Sequence, residues 1–95
     1  MKGKGYLLID VRSPEEFATG HLEGAINLPY GSIAQDIQDY VGQARETKLV
    51  LYCRSGRRSG LAEQSLRELG FTQVRDIGGL DEAKERLKQE EEAAA

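Results

Sequence analysis

Near the start of the chain, Tyr6-Leu7-Leu8-Ile9-Asp10-Val11 is apolar at almost every position, the pattern of a strand covered on both faces. Ser13-Pro14-Glu15-Glu16 follows it. Ser at the N-cap, Pro at the first helical position and Glu where a capping box needs it predict a short helix to about Ala18, ended by Gly20. Ala25-Ile26-Asn27-Leu28 reads as a second strand, closed by Pro29. From Ser32, the positions Ile33, Ile37, Tyr40, Val41 and Ala44 recur at helical spacing and predict one amphipathic helix lying on a sheet. Lys48 to Tyr52 is the central strand. Ala62, Leu66 and Leu69 then mark a helix that starts near Ser59 and stops at Gly70. Gln73 to Ile77 is a last strand, Gly78-Gly79 a turn, and Leu80, Ala83 and Leu87 a final helix. The end of that helix, from Glu90 to Ala95, offers no large apolar group to dock, so fraying is expected over about residues 89–95.

Strands alternating with helices predict an α/β fold: a small parallel β-sheet flanked by helices on both faces. Functional sites in such sheets lie beyond the carboxyl ends of the strands. With 95 residues the chain is expected to be a single domain spanning 1–95, without repeats or linkers. No stretch is apolar for long enough to cross a bilayer, and Met1-Lys2-Gly3-Lys4-Gly5 lacks the apolar segment of a secretory signal, so the chain as written reads as one that is not exported.

A single cysteine, Cys53, excludes a disulfide framework, a CxxC redox pair and a cysteine-rich zinc site. It leaves either a buried structural thiol or a nucleophile. The lone His21 has no Cys or His nearby in sequence, so no metal and no cofactor is expected.

Charge sharpens the choice. The chain is −3 overall, yet residues 48–58 carry Lys48, Arg54, Arg57 and Arg58 with no acid, while the segments on either side are net negative. A compact basic segment on an acidic protein suits one small anion pocket and argues against a nucleic-acid surface.

A lone cysteine after an apolar strand is in general more often a small core residue. Three arginines within the next five residues tilt the balance toward function, because a structural turn gains nothing from crowding like charges around a thiol. The amides from Arg54 to Ser59 can curl around the sulfur as a nest, with Gly56 allowing a positive φ, and the following helix adds its positive end. Both features lower a thiol's pKa. A thiolate stabilised in that way needs no general base, and arginines beside it would bind an oxyanion.

The ordered matches Ile9-Asp10-Val11-Arg12, Pro14-Glu15-Glu16-Phe17, Gly20 to Pro29, Tyr52 to Ser59 and Gly78-Gly79-Leu80 resemble the single-domain rhodaneses, or thiosulfate sulfurtransferases. The resemblance spans about Leu8 to Leu80. It implies that the Cys53 thiolate takes the outer sulfur of thiosulfate, releases sulfite, and passes the sulfur from a persulfide to a thiophilic acceptor: cyanide in assay, and cellular thiols or a partner protein otherwise. Arg54, Ser55, Gly56, Arg57, Arg58 and Ser59 would form the substrate-binding loop. In it Arg58, the arginine of the family's C-x4-R pattern, shapes the cradle, while Arg54 and Arg57 face the entrance.

Related phosphatases and arsenate reductases use C-x5-R, which would need arginine at Ser59, so sulfur transfer is preferred over both. A second alternative is a persulfide carrier in a protein sulfur relay, with little activity on free thiosulfate. Many relatives carry an aromatic residue after Gly-Gly-Leu where this chain has Asp81-Glu82-Ala83-Lys84, and in this it resembles the compact phage-shock type of bacterial rhodanese. Several of those are periplasmic, which would apply here if a signal had been removed. A monomer without nucleic-acid or membrane partners is expected.

Other polar residues have simpler readings. Asp10 and Arg12 are expected to brace loops near the site, as in relatives, and His21 to be a hydrogen-bonded structural residue. Glu15 and Glu16 read as acids at a helix N-terminus. Ser59 is expected to cap its helix while touching the bound sulfur.

Overall fold

The structure, a computed structural model, describes residues 5–94. Met1 to Lys4, where the absence of a signal was read, and Ala95, the end of the expected frayed tail, lie outside them. The strands β1 (Leu7–Asp10), β2 (Ile26–Asn27), β3 (Leu49–Cys53) and β4 (Val74–Gly79) form one parallel sheet in the order β2-β1-β3-β4. The helices are α1 (Pro14–Ala18), α2 (Ile33–Asp36), α3 (Gln38–Val41), α4 (Arg57–Glu68) and α5 (Leu80–Ala94).

Successive side chains of a strand point to opposite faces, and here both faces are covered. On one, Ile9, Leu49, Leu51 and Cys53 pack with Ile33 and Ile37 of α2 and its cap, Ala62 and Leu66 of α4, and Phe71. On the other, Leu8, Val50, Tyr52 and Ile77 meet Ala83, with Leu80 and Leu87 of α5 at the edge. This two-faced burial is why β1 and β3 read as continuous apolar runs. The fold is the α/β arrangement expected from the pattern.

Three expectations change. The single helix read from Ser32 to Ala44 is two short ones. The first buries Ile33 and ends at Ile37, which caps both helices, and Gly42 stops the second at φ +56°. Tyr40 is 53% exposed, so it does not share the core face of Ile33 and Ile37. Beyond the break Val41 still packs against the core, and Arg45 adds a second anchor, its guanidinium lying 4.8 Å from the Phe71 ring centroid and donating to the carbonyls of Leu69 and Gly42.

The long central helix starts at Arg57, two residues before Ser59, because Gly56 takes φ +95° and turns the chain into it early. The last helix is drawn out past residue 89 without a break. It continues to Ala94, and Glu90 is ion-paired with Arg75 on β4.

The core assignments separate two neighbouring apolar side chains. Ile37→Ala should cost about 2–5 kcal/mol, whereas Tyr40→Ala should change stability by less than about 1 kcal/mol. Urea unfolding of the two variants checks the difference.

Candidate active site

Cys53 is the last residue of β3, at the carboxyl edge of the sheet. It sits opposite Gly79, with a register shift between Leu51 and Cys53 that lets the chain leave the ladder. Ser55 then bridges to Gly79 in antiparallel sense. This crossing is close: a Cβ on Gly79 would lie 2.5 Å from the Arg54 carbonyl oxygen, and one on Gly56 would lie 3.6 Å from the Gly78 Cα. The amides of Gly78 and Gly79 are taken up by carboxylates, at 2.9 Å by Asp76 Oδ1 and at 3.0 Å by Glu82 Oε1.

The loop so formed turns its amides inward. Gly56 N–H donates to the Cys53 sulfur at 2.9 Å. Burial alone would raise the thiol's pKa, but hydrogen bonds from the Ser59 side chain and from the amides of Ser59, Gly56 and Ser55 outweigh it and hold the pKa below its ordinary value. Cys53 itself has no exposed surface. It lies inside the loop, as a core residue and as the acceptor of a nest of donors.

The other loop residues divide by role. Arg54, Ser55 and Arg57 are exposed, and neither Arg54 nor Arg57 makes an ion pair among the described residues. Arg58 is half-buried and donates both guanidinium branches to Glu16, at 2.8 and 3.0 Å. Ser59 is not the helix cap, since Gly56 takes that position. It is buried in the first turn, and its hydroxyl lies 2.6 Å from Asp76 Oδ1 and 3.1 Å from the Gly56 carbonyl. Lys48 immediately precedes β3 and so stands at the far end of the strand from Cys53, which reduces the basic segment to three arginines at the site.

A cavity of about 470 Å³ borders the loop, with Arg12, Arg54, Ser55 and Gly79 on its walls. Glu16, Asp81 and Glu82 line it as well, so the cavity is mixed in charge and not purely cationic. Below it, Asp10 and Arg12 form a buried pair, with the Arg12 guanidinium also donating to the Gly20 carbonyl at 2.6 Å. The bracing role expected of them is what the structure shows. His21 stacks on Phe17 and its Nδ1 lies 2.9 Å from the Phe17 carbonyl. Among the described residues no group of three or more His, Cys, Asp or Glu could hold a metal ion.

Sequence reasoning missed three carboxylates. Glu16 was read only as a helix acid; it completes the capping box with Ser13 and also holds Arg58, 42 residues away. Asp76 and Glu82 drew no notice. The Gly78-Gly79 pair was the available signal, since two adjacent glycines imply backbone passing close to backbone, and each of their amides then needs an acceptor.

Two outcomes follow. Gly79→Ala should displace the Arg54 carbonyl, cost about 1–3 kcal/mol, and slow alkylation of Cys53 by iodoacetamide relative to the wild type. The Glu16 carboxyl is held down at about 2, against an ordinary value of 4.5, chiefly by Arg58 and then by the Ser13 amide. A depressed carboxylate contributes stability above its unfolded pKa and loses it as pH falls through the folded one. Glu16→Gln should therefore flatten the fall in urea midpoint between pH 4.5 and about pH 2, while lowering stability at pH 7 by about 1 kcal/mol.

The sequence profile of the rhodanese-like domain matches residues 1–86. The chain is 43% identical over 72 residues to thiosulfate sulfurtransferase PspE of Escherichia coli (strain K12), covering 76% of this chain and 68% of that protein. It is 38% identical over 84 residues to adenylyltransferase and sulfurtransferase UBA4 of Candida albicans, covering 82% of this chain but 19% of that much longer protein. Among solved structures, a rhodanese with anions from E. coli superposes with a TM-score of 0.76 at 38% identity, over 81% of this chain and 89% of that one. Fold, loop and sequence agree, and the chain belongs to the rhodanese-like domain family of sulfurtransferases.

Proposed function

We propose that this chain is a thiosulfate sulfurtransferase in which Cys53 carries the sulfur. The observation that carries the reading is the Cys53 sulfur itself, accepting the Gly56 amide at 2.9 Å inside a loop that lowers its pKa without a side-chain base. The thiolate attacks the outer sulfur of thiosulfate, a new S–S bond forms, and the old one breaks with its electron pair leaving on sulfite. The acceptor then attacks the outer sulfur of the persulfide, and Cys53 departs as thiolate. Cyanide would leave as thiocyanate, and a thiol acceptor as its own persulfide.

Arg54 and Arg57, exposed and unpaired by any carboxylate, serve to attract the dianion and steady the departing sulfite. Arg58 does not point its charge freely at the substrate. It fixes the first turn of α4 through Glu16, and that turn carries the Ser59 amide to the sulfur. Ser55, Gly56 and Ser59 hold the thiolate and then the persulfide. The sulfur has no exposed surface, so side chains between it and the cavity must shift for thiosulfate to reach it.

A persulfide carrier is the second reading. It is favoured by the mixed charge of the cavity lining and by the likeness to a sulfurtransferase that is joined to an adenylyltransferase. Mass spectrometry after incubation with thiosulfate decides first whether the sulfur is taken. One added sulfur atom on Cys53, absent in Cys53→Ser, is expected, and a folded protein that gains none would overturn both the enzyme and its nucleophile. Turnover with thiosulfate and cyanide, set against transfer from a persulfidated protein, separates enzyme from carrier. Because Cys53 is buried, Cys53→Ser is compared at equal folded fraction.

A further inference from the structure

Glu82 is the third residue of α5, and its carboxylate turns back to accept the amide of Gly79, the residue just before the helix, at 3.0 Å. That is the return half of a capping box, which Gln serves as well as Glu, because it needs only an acceptor oxygen. The carboxylate also lies close against backbone: a Cβ on Gly78 would be 2.3 Å from the same Oε1. It has no counter-cation among the described residues, whose ion pairs are Asp10–Arg12, Glu16–Arg58, Glu63–Arg67 and Glu90–Arg75.

The cavity beside the Cys53 loop receives this charge. Of its ionic lining groups, Arg12 is paired with Asp10 and Glu16 with Arg58, which leaves Arg54 against Asp81 and Glu82. One unneutralised cation against two unneutralised carboxylates makes the lining net negative, beside a loop that itself favours anions. Both acids stand in the first turn of α5, where the helix dipole favours them. A thiol carrying an ammonium group is therefore attracted by this lining, and an anionic thiol is repelled.

We propose that Glu82, with Asp81 beside it, is a specificity-determining residue for the second half of the reaction: it biases the cavity toward acceptors that carry an amine beside their thiol, and against anionic thiols. The inference deepens the proposed function and rests on its reading of Cys53 as the sulfur carrier. With the ammonium along the α5 wall, the acceptor thiolate attacks the outer sulfur of the Cys53 persulfide. The S–S bond breaks with its electron pair on Cys53, and the acceptor leaves as its own persulfide. The acceptor's thiol proton has already passed to solvent, a loss that the neighbouring ammonium favours by lowering the thiol pKa. Thiosulfate, a dianion, is drawn in against the same wall by the exposed Arg54 and Arg57.

Glu82→Gln keeps an acceptor for the Gly79 amide and removes the charge, so a capping role alone would leave charge selectivity unmoved. Two measurements on the full chain read that selectivity. The first needs no sulfur transfer: Cys53 is modified by three methanethiosulfonates, carrying a trimethylammonium group, a sulfonate or no charge. A change in the Cys53 pKa affects all three alike and cancels. The ratio of the cationic to the anionic rate should fall about fivefold in Glu82→Gln, and an unchanged ratio would overturn the proposal.

The second follows discharge of the thiosulfate-loaded Cys53 persulfide to cysteamine and to mercaptopropionate, each relative to mercaptoethanol. The cysteamine-to-mercaptopropionate ratio should also fall about fivefold. A fall with the reagents but none with the acceptors would overturn the proposal, because the charge would then not act on sulfur transfer. If no persulfide forms, the sulfurtransferase reading fails separately, and the reagent ratio still decides which charge Glu82 admits to Cys53. Should Glu82→Gln fail to fold, Asp81→Asn, at an exposed position on the same turn, is measured in both ways. A fall of about twofold is expected there, and no fall would overturn the proposal.

Discussion

The Arg54 carbonyl occupies the space where a side chain on residue 79 would begin, and the rest of the site depends on that contact. Because residue 79 is glycine, the end of β4 can pass directly beneath the segment leaving β3. The loop is then folded back over the sheet edge instead of projecting into solvent. Gly56 completes the reversal at a φ that other residues adopt only with strain, which is how its amide arrives at the Cys53 sulfur. The same tight pass takes the Gly78 and Gly79 amides away from a regular ladder, and Asp76 and Glu82 are positioned to accept them. Backbone proximity therefore determines where these two carboxylates stand.

Two arginines in the first turn of α4 oppose the helix dipole, which disfavours cations at that end. The structure resolves the conflict unequally. Arg58 is neutralised by Glu16, a residue that α1 already holds in place through its own capping box, so one carboxylate serves two elements. Arg57 stays exposed. Of the local positive charge visible in the chain, Lys48 belongs to the opposite end of β3 and Arg58 is consumed structurally. The charge open to an incoming anion is Arg54, which lines the cavity, and Arg57, exposed in the first turn of α4.

The parallel sheet with two covered faces was legible because periodicity is a local property: β1, β3 and the α1 capping box each declare themselves within a few residues. The loop was legible for the same reason, since Cys53, Gly56 and the arginines are contiguous. What stayed hidden was set by contacts distant in sequence. Glu16 with Arg58 and Ser59 with Asp76 join residues 42 and 17 positions apart, and nothing in either local pattern announces a partner. The helix broken at Ile37 failed differently. Its apolar spacing was sound at Ile33, Ile37 and Val41, but Tyr40 and Ala44 matched the period without meeting the core, and Arg45 supplies a further anchor.

Burial in the core and a lowered thiol pKa coexist at Cys53. Burial penalises the thiolate, yet it also strengthens each hydrogen bond to the sulfur by excluding water and lowering the local dielectric. The donors win the balance at Cys53 with the buried Ser59 side chain and three backbone amides, and the amides' directions are fixed by the fold and cannot relax away as a flexible cation could. A side-chain base would add a titration of its own to the reaction, whereas amides donate at every pH. On these grounds the full burial of Cys53 is compatible with a lowered thiol pKa. It also explains why the chain keeps its free arginines outside the cradle: the sulfur's charge is already met inside it, and the arginines are left to act on whatever anion approaches.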